Sequence, residues 1–265
     1  MNTMQHRRRY ALEAMGRAAA RPPSPDSAHL RLDEHTDPTR PDPRDLVDAV
    51  TRRLLRDLDD ATDGPGYTVL SGLSGSFVDV DEARLFHRHL FDQVWSLFRK
   101  QPKLIPDGPF RTASRTVADG RIPIDQYGSA WSFKELHADR DALLFSHLYG
   151  PAQGFDGGEL LIADARRFLA GRSLAFDEVF SWSQEPTAGS KPVLRRRYHE
   201  AVMTECGAVF KLGCTDIVVL VNNLPEAGVL HGARPVRVTD PDRFVREYHR
   251  CSARQADPDR EPART

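Results

Sequence analysis

The chain changes its hydrophobic period partway along, and that switch limits the folds open to it. From Asp45 the apolar residues Leu46, Val47, Val50, Leu54, Leu55 and Leu58 recur at helical spacing until Gly64-Pro65-Gly66 stops them. A short strand, Tyr67-Thr68-Val69-Leu70, is predicted to follow. A second amphipathic helix is written from Asp81 to Arg99, with Leu85, Phe86, Leu90, Val94, Trp95 and Phe98 on one side. That places Trp95 in the core. Beyond Phe110 the runs become short and β-rich: Trp131 to His137, Ala142 to Leu148, Glu159 to Ala163, Ala208 to Leu212, Ile217 to Asn222 and Phe244 to Ser252. Gly150-Pro151, Gly157-Gly158 and Gly213 punctuate them. Short strands after two helices predict a mainly β domain with supporting helices, a sandwich or barrel. The polar stretch from Asp177 to Arg197 reads as an excursion between strands, the kind of segment that forms lids or binding loops.

The domain is expected over 44–254. Residues 1–43 read as a flexible arm, because Arg21-Pro22-Pro23-Ser24-Pro25 and Thr39-Arg40-Pro41-Asp42-Pro43 offer almost nothing to bury. Residues 255–265 read as a disordered tail. A length of 265 residues suits one substantial domain. The net charge of -1 gives no global field for nucleic acid or membrane, so a small-molecule partner is expected, with the oligomeric state left open. No apolar run reaches membrane-spanning length. Arg7-Arg8-Arg9 is followed by no apolar stretch, so a secretory signal is not expected and the cytoplasm is. Cys206, Cys214 and Cys251 are odd in number and lack C-x-x-C spacing, which argues against a disulfide framework and a zinc knuckle.

The residues that carry chemistry are His137-Ala138-Asp139 and, much later, His231 within Val229-Leu230-His231-Gly232. Two imidazoles and one carboxylate are the ligand set of a facial iron site, which leaves the opposite positions open for a co-substrate and O₂. In a strand, residues i and i+2 share a face, so His137 and Asp139 can grip one metal while Ala138 points away. Zinc accepts the same N and O ligands, so a zinc hydrolase using His137, Asp139 and His231 is a second reading. A non-catalytic metabolite-binding jelly roll with incidental histidines is a third. Competing signatures are weak: Gly72-Leu73-Ser74-Gly75 misses the spacing of a nucleophile elbow, and there is no P-loop, G-x-G-x-x-G or H-E-x-x-H.

Further pieces follow in order. Phe155-Asp156-Gly157-Gly158-Glu159-Leu160 is a turn opening a strand, and Ile217-Val218-Val219-Leu220-Val221 is an apolar run fit for burial on both faces. At period two, Arg246, Tyr248, Arg250 and Ser252 share a face. With these pieces the chain resembles the Fe(II)/2-oxoglutarate-dependent oxygenases, in the branch of taurine dioxygenase, clavaminate synthase-like enzymes, small amino-acid hydroxylases and radical halogenases. The resemblance runs over about residues 44 to 254.

The resemblance implies a double-stranded β-helix (jelly roll, cupin-like), Fe(II) held by His137, Asp139 and His231, and 2-oxoglutarate with O₂ as co-substrates. It implies an arginine on the last strand paired with the distal carboxylate of 2-oxoglutarate, a task suited to a planar, permanently charged guanidinium. Arg250 is the first choice and Arg246 the second, ahead of Arg243 and Arg234. Tyr127 is placed as a further co-substrate contact. In the halogenating subgroup Gly or Ala replaces the carboxylate ligand, so Asp139 points to hydroxylation, desaturation or ring closure.

For the substrate, Trp131, Phe133 and Glu135 share the parity of His137. Glu135 suits a cationic group, or else a salt bridge to a neighbouring Arg. Asn222 and Asn223 suit a polar substrate group or a turn cap. The expected substrate is a small, cationic, free amino acid or related amine, with carrier-bound and peptide forms left open. His147 reads as structural or supporting.

Overall fold

In a computed structural model of the chain, the structure describes residues 29–31, 47, 51, 66–73, 77–98, 110–118, 136–138, 142–170, 172–185, 189–221, 229–234 and 236–255. Of the first amphipathic pattern Val47 is helical and buried, as is Thr51, while Leu46, Val50, Leu54, Leu55 and Leu58 lie outside the described residues. The described elements, in chain order, begin with β1 (His29–Arg31), β2 (Tyr67–Ser71), helix α1 (Val80–Phe98), β3 (Phe110–Ala118), β4 (Ala142–Gln153), β5 (Phe155–Gly157) and β6 (Leu160–Asp164). Helices α2 (Ala165–Ala170) and α3 (Phe176–Val179) lead into a hairpin of β7 (Phe180–Glu185) and β8 (Gly189–Leu194). Helix α4 (Arg196–Cys206), β9 (Gly207–Phe210), β10 (Ile217–Val221), β11 (Val229–Ala233), β12 (Val236–Val238) and β13 (Val245–Gln255) complete the order.

A six-stranded sheet, β1-β2-β10-β4-β13-β3, forms one wall, and β11-β6-β9 forms the other. Alternation divides each strand of the large sheet. On β4 and β13, Ser146, His249 and Cys251 face α1, whereas Phe145, His147, Tyr149, Tyr248 and Arg250 face the second sheet. Within the core, Val69, Val218 and Leu220 cluster with Leu160, Ile162 and Val229 of the second sheet. A second cluster lies behind that sheet, where Leu161, Ala163 and Leu230 meet Phe168 of α2 and Val202 of α4.

Helix α1 starts where its sequence provides an N-terminal cap. The Asp79 side chain accepts a hydrogen bond from the Glu82 N–H at 2.8 Å, while Glu82 reaches back to the Val78 N–H at 2.6 Å. Its buried stripe is Ala83, Phe86, His87, Leu90, Phe91, Val94 and Trp95. Leu85, expected on that stripe, is 60% exposed. The helix turns about 100° per residue, so the buried face is centred near His87 and Val94 and leaves Leu85 on the opposite side.

Other expectations need correction. The excursion at 177–197 is a short helix and a hairpin, and its Val193 and Leu194 are buried. Strand β3 and helices α2 and α4 have sequence patterns too short or too polar to announce themselves. Within 1–43, the segment expected to be a flexible arm supplies β1, which pairs in parallel with β2. An edge strand gains its partners through backbone groups and needs few apolar side chains. Gln255, placed in the tail, ends β13.

Candidate active site

His137 is the hinge of the second sheet. It pairs antiparallel with Val193 of β8 on one side and with His231 of β11 on the other, so this one residue joins the β7–β8 hairpin to β11-β6-β9. His137 and His231 exchange both backbone hydrogen bonds, each at 2.9 Å. Such a pair places two side chains side by side on one face. Their rings accordingly lie with centroids 4.4 Å apart. Both are buried. Leu136 and Ala138 point into the helical cluster behind the sheet, which fixes His137 on the inner face.

Opposite the two imidazoles lies the inner face of the large sheet. The Phe145 ring meets His231 edge-on at 4.9 Å, and the Arg250 guanidinium sits 4.8 Å from the Phe145 centroid. His147 follows on β4, with its ring 5.0 Å from Phe145 and 5.1 Å from Tyr248. Arg250 is its register partner on β13. Further along come Tyr149 and Arg246. Burial raises the Tyr149 phenol above its ordinary range, against the pull of Arg246.

The Arg246 guanidinium packs 5.9 Å from the Phe155 ring centroid. Gly158 shapes that corner. Its φ is +75°, and a Cβ there would lie 3.1 Å from Val236 and 3.5 Å from Arg246 Nη2. Gly158 therefore opens β6 at a positive φ and packs closely against Val236. No carboxylate among the described residues pairs with half-buried Arg246. Arg234 and Arg243, the remaining arginines considered, are exposed.

Of the residues singled out from sequence, the structure brings together His137, His231 and, through Phe145, Arg250, while Arg246 lies further along, against Phe155. Asp139, Tyr127, Trp131, Glu135, Asn222 and Asn223 lie outside the described residues. Sequence reasoning missed Phe145, Tyr149 and Tyr248 as site-lining residues and set His147 aside. The signal was there in the period-two series Phe145, His147, Tyr149, which matches Tyr248, Arg250 across the strand pair.

The two histidines fit a divalent metal. Buried and adjacent on one face, they supply two neighbouring imidazoles, although among the described residues no group of three or more His, Cys, Asp or Glu side chains is set to hold a metal ion. Among the described residues no helix is long and apolar enough to cross a membrane.

No family model matches the chain, and no curated protein is matched by it. Among solved structures it is similar to an asparagine oxygenase, with 16% identity, a TM-score of 0.47, and coverage of 95% of this chain and 91% of that one. It is similar to a taurine dioxygenase from Burkholderia xenovorans at 12% identity and a TM-score of 0.38, over 86% and 90% of the two chains. It is also similar to PvcB, an Fe, alpha-ketoglutarate dependent oxygenase from an isonitrile synthetic pathway, at 14% identity and a TM-score of 0.36, over 88% and 86%. Likenesses this loose leave the chemistry to be argued from the chain's own residues.

Proposed function

We propose that this chain is a non-haem Fe(II)/2-oxoglutarate-dependent oxygenase built on a double-stranded β-helix, and that it oxidises a small metabolite, a free amino acid by preference. The observation that carries the reading is the juxtaposition of the His137–His231 pair with an arginine-bearing wall across the groove. Asp139 is proposed as the third ligand, since residues i and i+2 of a strand share a face. When bound, Fe(II) supplies O₂ activation coupled to oxidation of 2-oxoglutarate to succinate and CO₂.

The chain's own residues bind and orient. Arg246, half-buried with no ion pair among the described residues, supports a role as anchor for the distal carboxylate of 2-oxoglutarate. That choice inverts the order drawn from sequence. Arg250, nearer His231 through Phe145, is then placed for a second anionic group. Phe145 and the apolar roof of Leu160 and Ile162 keep water from the groove, which strengthens every charge contact in it. Glu135, with Trp131, is proposed to meet a cationic substrate group. Tyr127 is proposed as a co-substrate contact, and Asn222 with Asn223 as polar substrate contacts. The chain is proposed to act in the cytoplasm on small molecules, with no nucleic-acid or membrane partner.

The test is succinate formation from 2-oxoglutarate under air with Fe(II), across a panel of free amino acids and carrier-bound ones. Stimulation by one amino acid, absent in His231→Ala, is expected. Hydrolysis supported by Zn(II), with no 2-oxoglutarate turnover on any substrate, contradicts the reading.

A further inference from the structure

One polar side chain on the inner wall has no task in the reading above. His147 is half-buried on β4 between Phe145, which touches His231, and Tyr149, which lies within the electrostatic reach of Arg246. It therefore stands midway between the iron-ligand end of the groove and the Arg246 end. Side chains two apart on one face of a strand are separated by about 6.8 Å, so Phe145 to Tyr149 spans about 13.6 Å. A five-carbon dicarboxylate covers only about half of that span, so one held at its distal end from the Arg246 side brings its other carboxylate to the His147 ring. The roof opposite is apolar, with Leu160 and Ile162 in the core. An aliphatic or aromatic residue would fill the space beside Phe145 and Tyr248 without desolvating an imidazole. The ring's N–H groups are what a histidine adds there.

We propose that His147 is a binding residue of the co-substrate subsite, donating a hydrogen bond to a carboxylate of 2-oxoglutarate while Arg246 holds the distal end. The assignment rests on the Fe(II)/2-oxoglutarate reading. It makes His147, together with its register partner Arg250, the floor on which the co-substrate lies.

The experiment measures 2-oxoglutarate affinity by anaerobic calorimetry on the Mn(II)-loaded full-length protein, in wild type, His147→Phe and His147→Gln. Phe keeps a planar ring and removes the donor, so 2-oxoglutarate should bind about ten- to a hundredfold more weakly. Gln keeps a donor and should recover most of the loss. Mn(II) affinity measured without 2-oxoglutarate should be the same in all three. In the metal-free wild type, NMR signals of the His147 ring should move when 2-oxoglutarate is added. Equal 2-oxoglutarate affinity in wild type and His147→Phe overturns the assignment and leaves the oxygenase reading standing. A variant whose 2-oxoglutarate affinity is unchanged but whose amino-acid KM rises overturns it too, by moving His147 to the substrate side. A wild type that binds no 2-oxoglutarate with metal present overturns the oxygenase reading itself. If His147→Phe fails to fold, the ring signals decide: signals that stay in place when 2-oxoglutarate is added contradict the proposal.

Discussion

The two faces of β13 differ in how their charges are partnered, although their residues alternate along one strand. On the face toward α1, Arg84 pairs with Glu247 and with Asp81, and its Nε donates to His249 Nε2 at 2.7 Å. Beneath them, His87 spans the Ser146 hydroxyl at 2.7 Å and the Cys251 thiol at 3.9 Å. Arg84, Asp81 and Glu247 are thus paired with one another on that side. On the other face, Arg246 and Arg250 lie over aromatic rings, 5.9 Å from Phe155 and 4.8 Å from Phe145. Half-buried Arg246 has no ion pair among the described residues, which costs stability unless a ligand brings the missing charge. One face thus consolidates the fold, and the other is poised for a dicarboxylate.

The sharpest way to break this contrast is Arg246→Met. Removing one partner of a buried charge pair costs about 3–5 kcal/mol. Affinity for 2-oxoglutarate should therefore fall by two orders of magnitude or more, with the denaturation midpoint unchanged or raised. Equal affinity in calorimetry would move the anchor to Arg250.

The next effect belongs to the α1 side. Burial, with His249 second, lowers His87 to about 3, so the ring stays neutral in the folded chain. The unfolded chain binds a proton at His87 near pH 6.5 that the folded chain refuses. Stability therefore rises with pH across this window and is lost as pH falls from about 6.5 toward 3, by about 1.4 kcal/mol per pH unit. Burial and Arg84 lower His249 in the same sense. Denaturant midpoints between pH 7 and pH 5 should show a shallower slope for His87→Asn than for wild type; parallel slopes contradict the account.

Arg84→Met should cost about 1 kcal/mol in the same assay, since Arg84 is 39% exposed and solvent screens its ion pairs. Its 2-oxoglutarate affinity should not move. A change there would mean that the two faces are coupled. The smallest effect is expected for Leu85→Glu, a change of about 0.5 kcal/mol or less at an exposed position, checked by thermal melting.

That last variant marks a limit of reading a sequence by period. The stripe of α1 was legible through Phe86, Leu90, Val94 and Trp95, yet Leu85 looked equivalent because periodicity alone does not fix the centre of a stripe. Runs of five or more β-branched and aliphatic residues, such as Ile217–Val221, announced themselves as strands. Strands β3 and β8 did not, because their pairing is specified by neighbours far along the chain. For the site, i, i+2 spacing singled out His137, and the arginines on β13 followed from alternation. What sequence could not supply was the register that sets His147 beside Arg250 and His137 beside His231. Partners from distant strands are invisible until the sheets are assembled.

The central claim is that the histidine pair and the arginine face form one site. Its most direct test is thermodynamic linkage, measured anaerobically on the full chain. Fe(II) should bind once per chain and tighten 2-oxoglutarate about tenfold or more, and 2-oxoglutarate should tighten Fe(II) by the same factor. Both effects should vanish in His231→Ala and in Arg246→Met. Binding of 2-oxoglutarate that is indifferent to Fe(II), in the wild-type protein, would contradict the account.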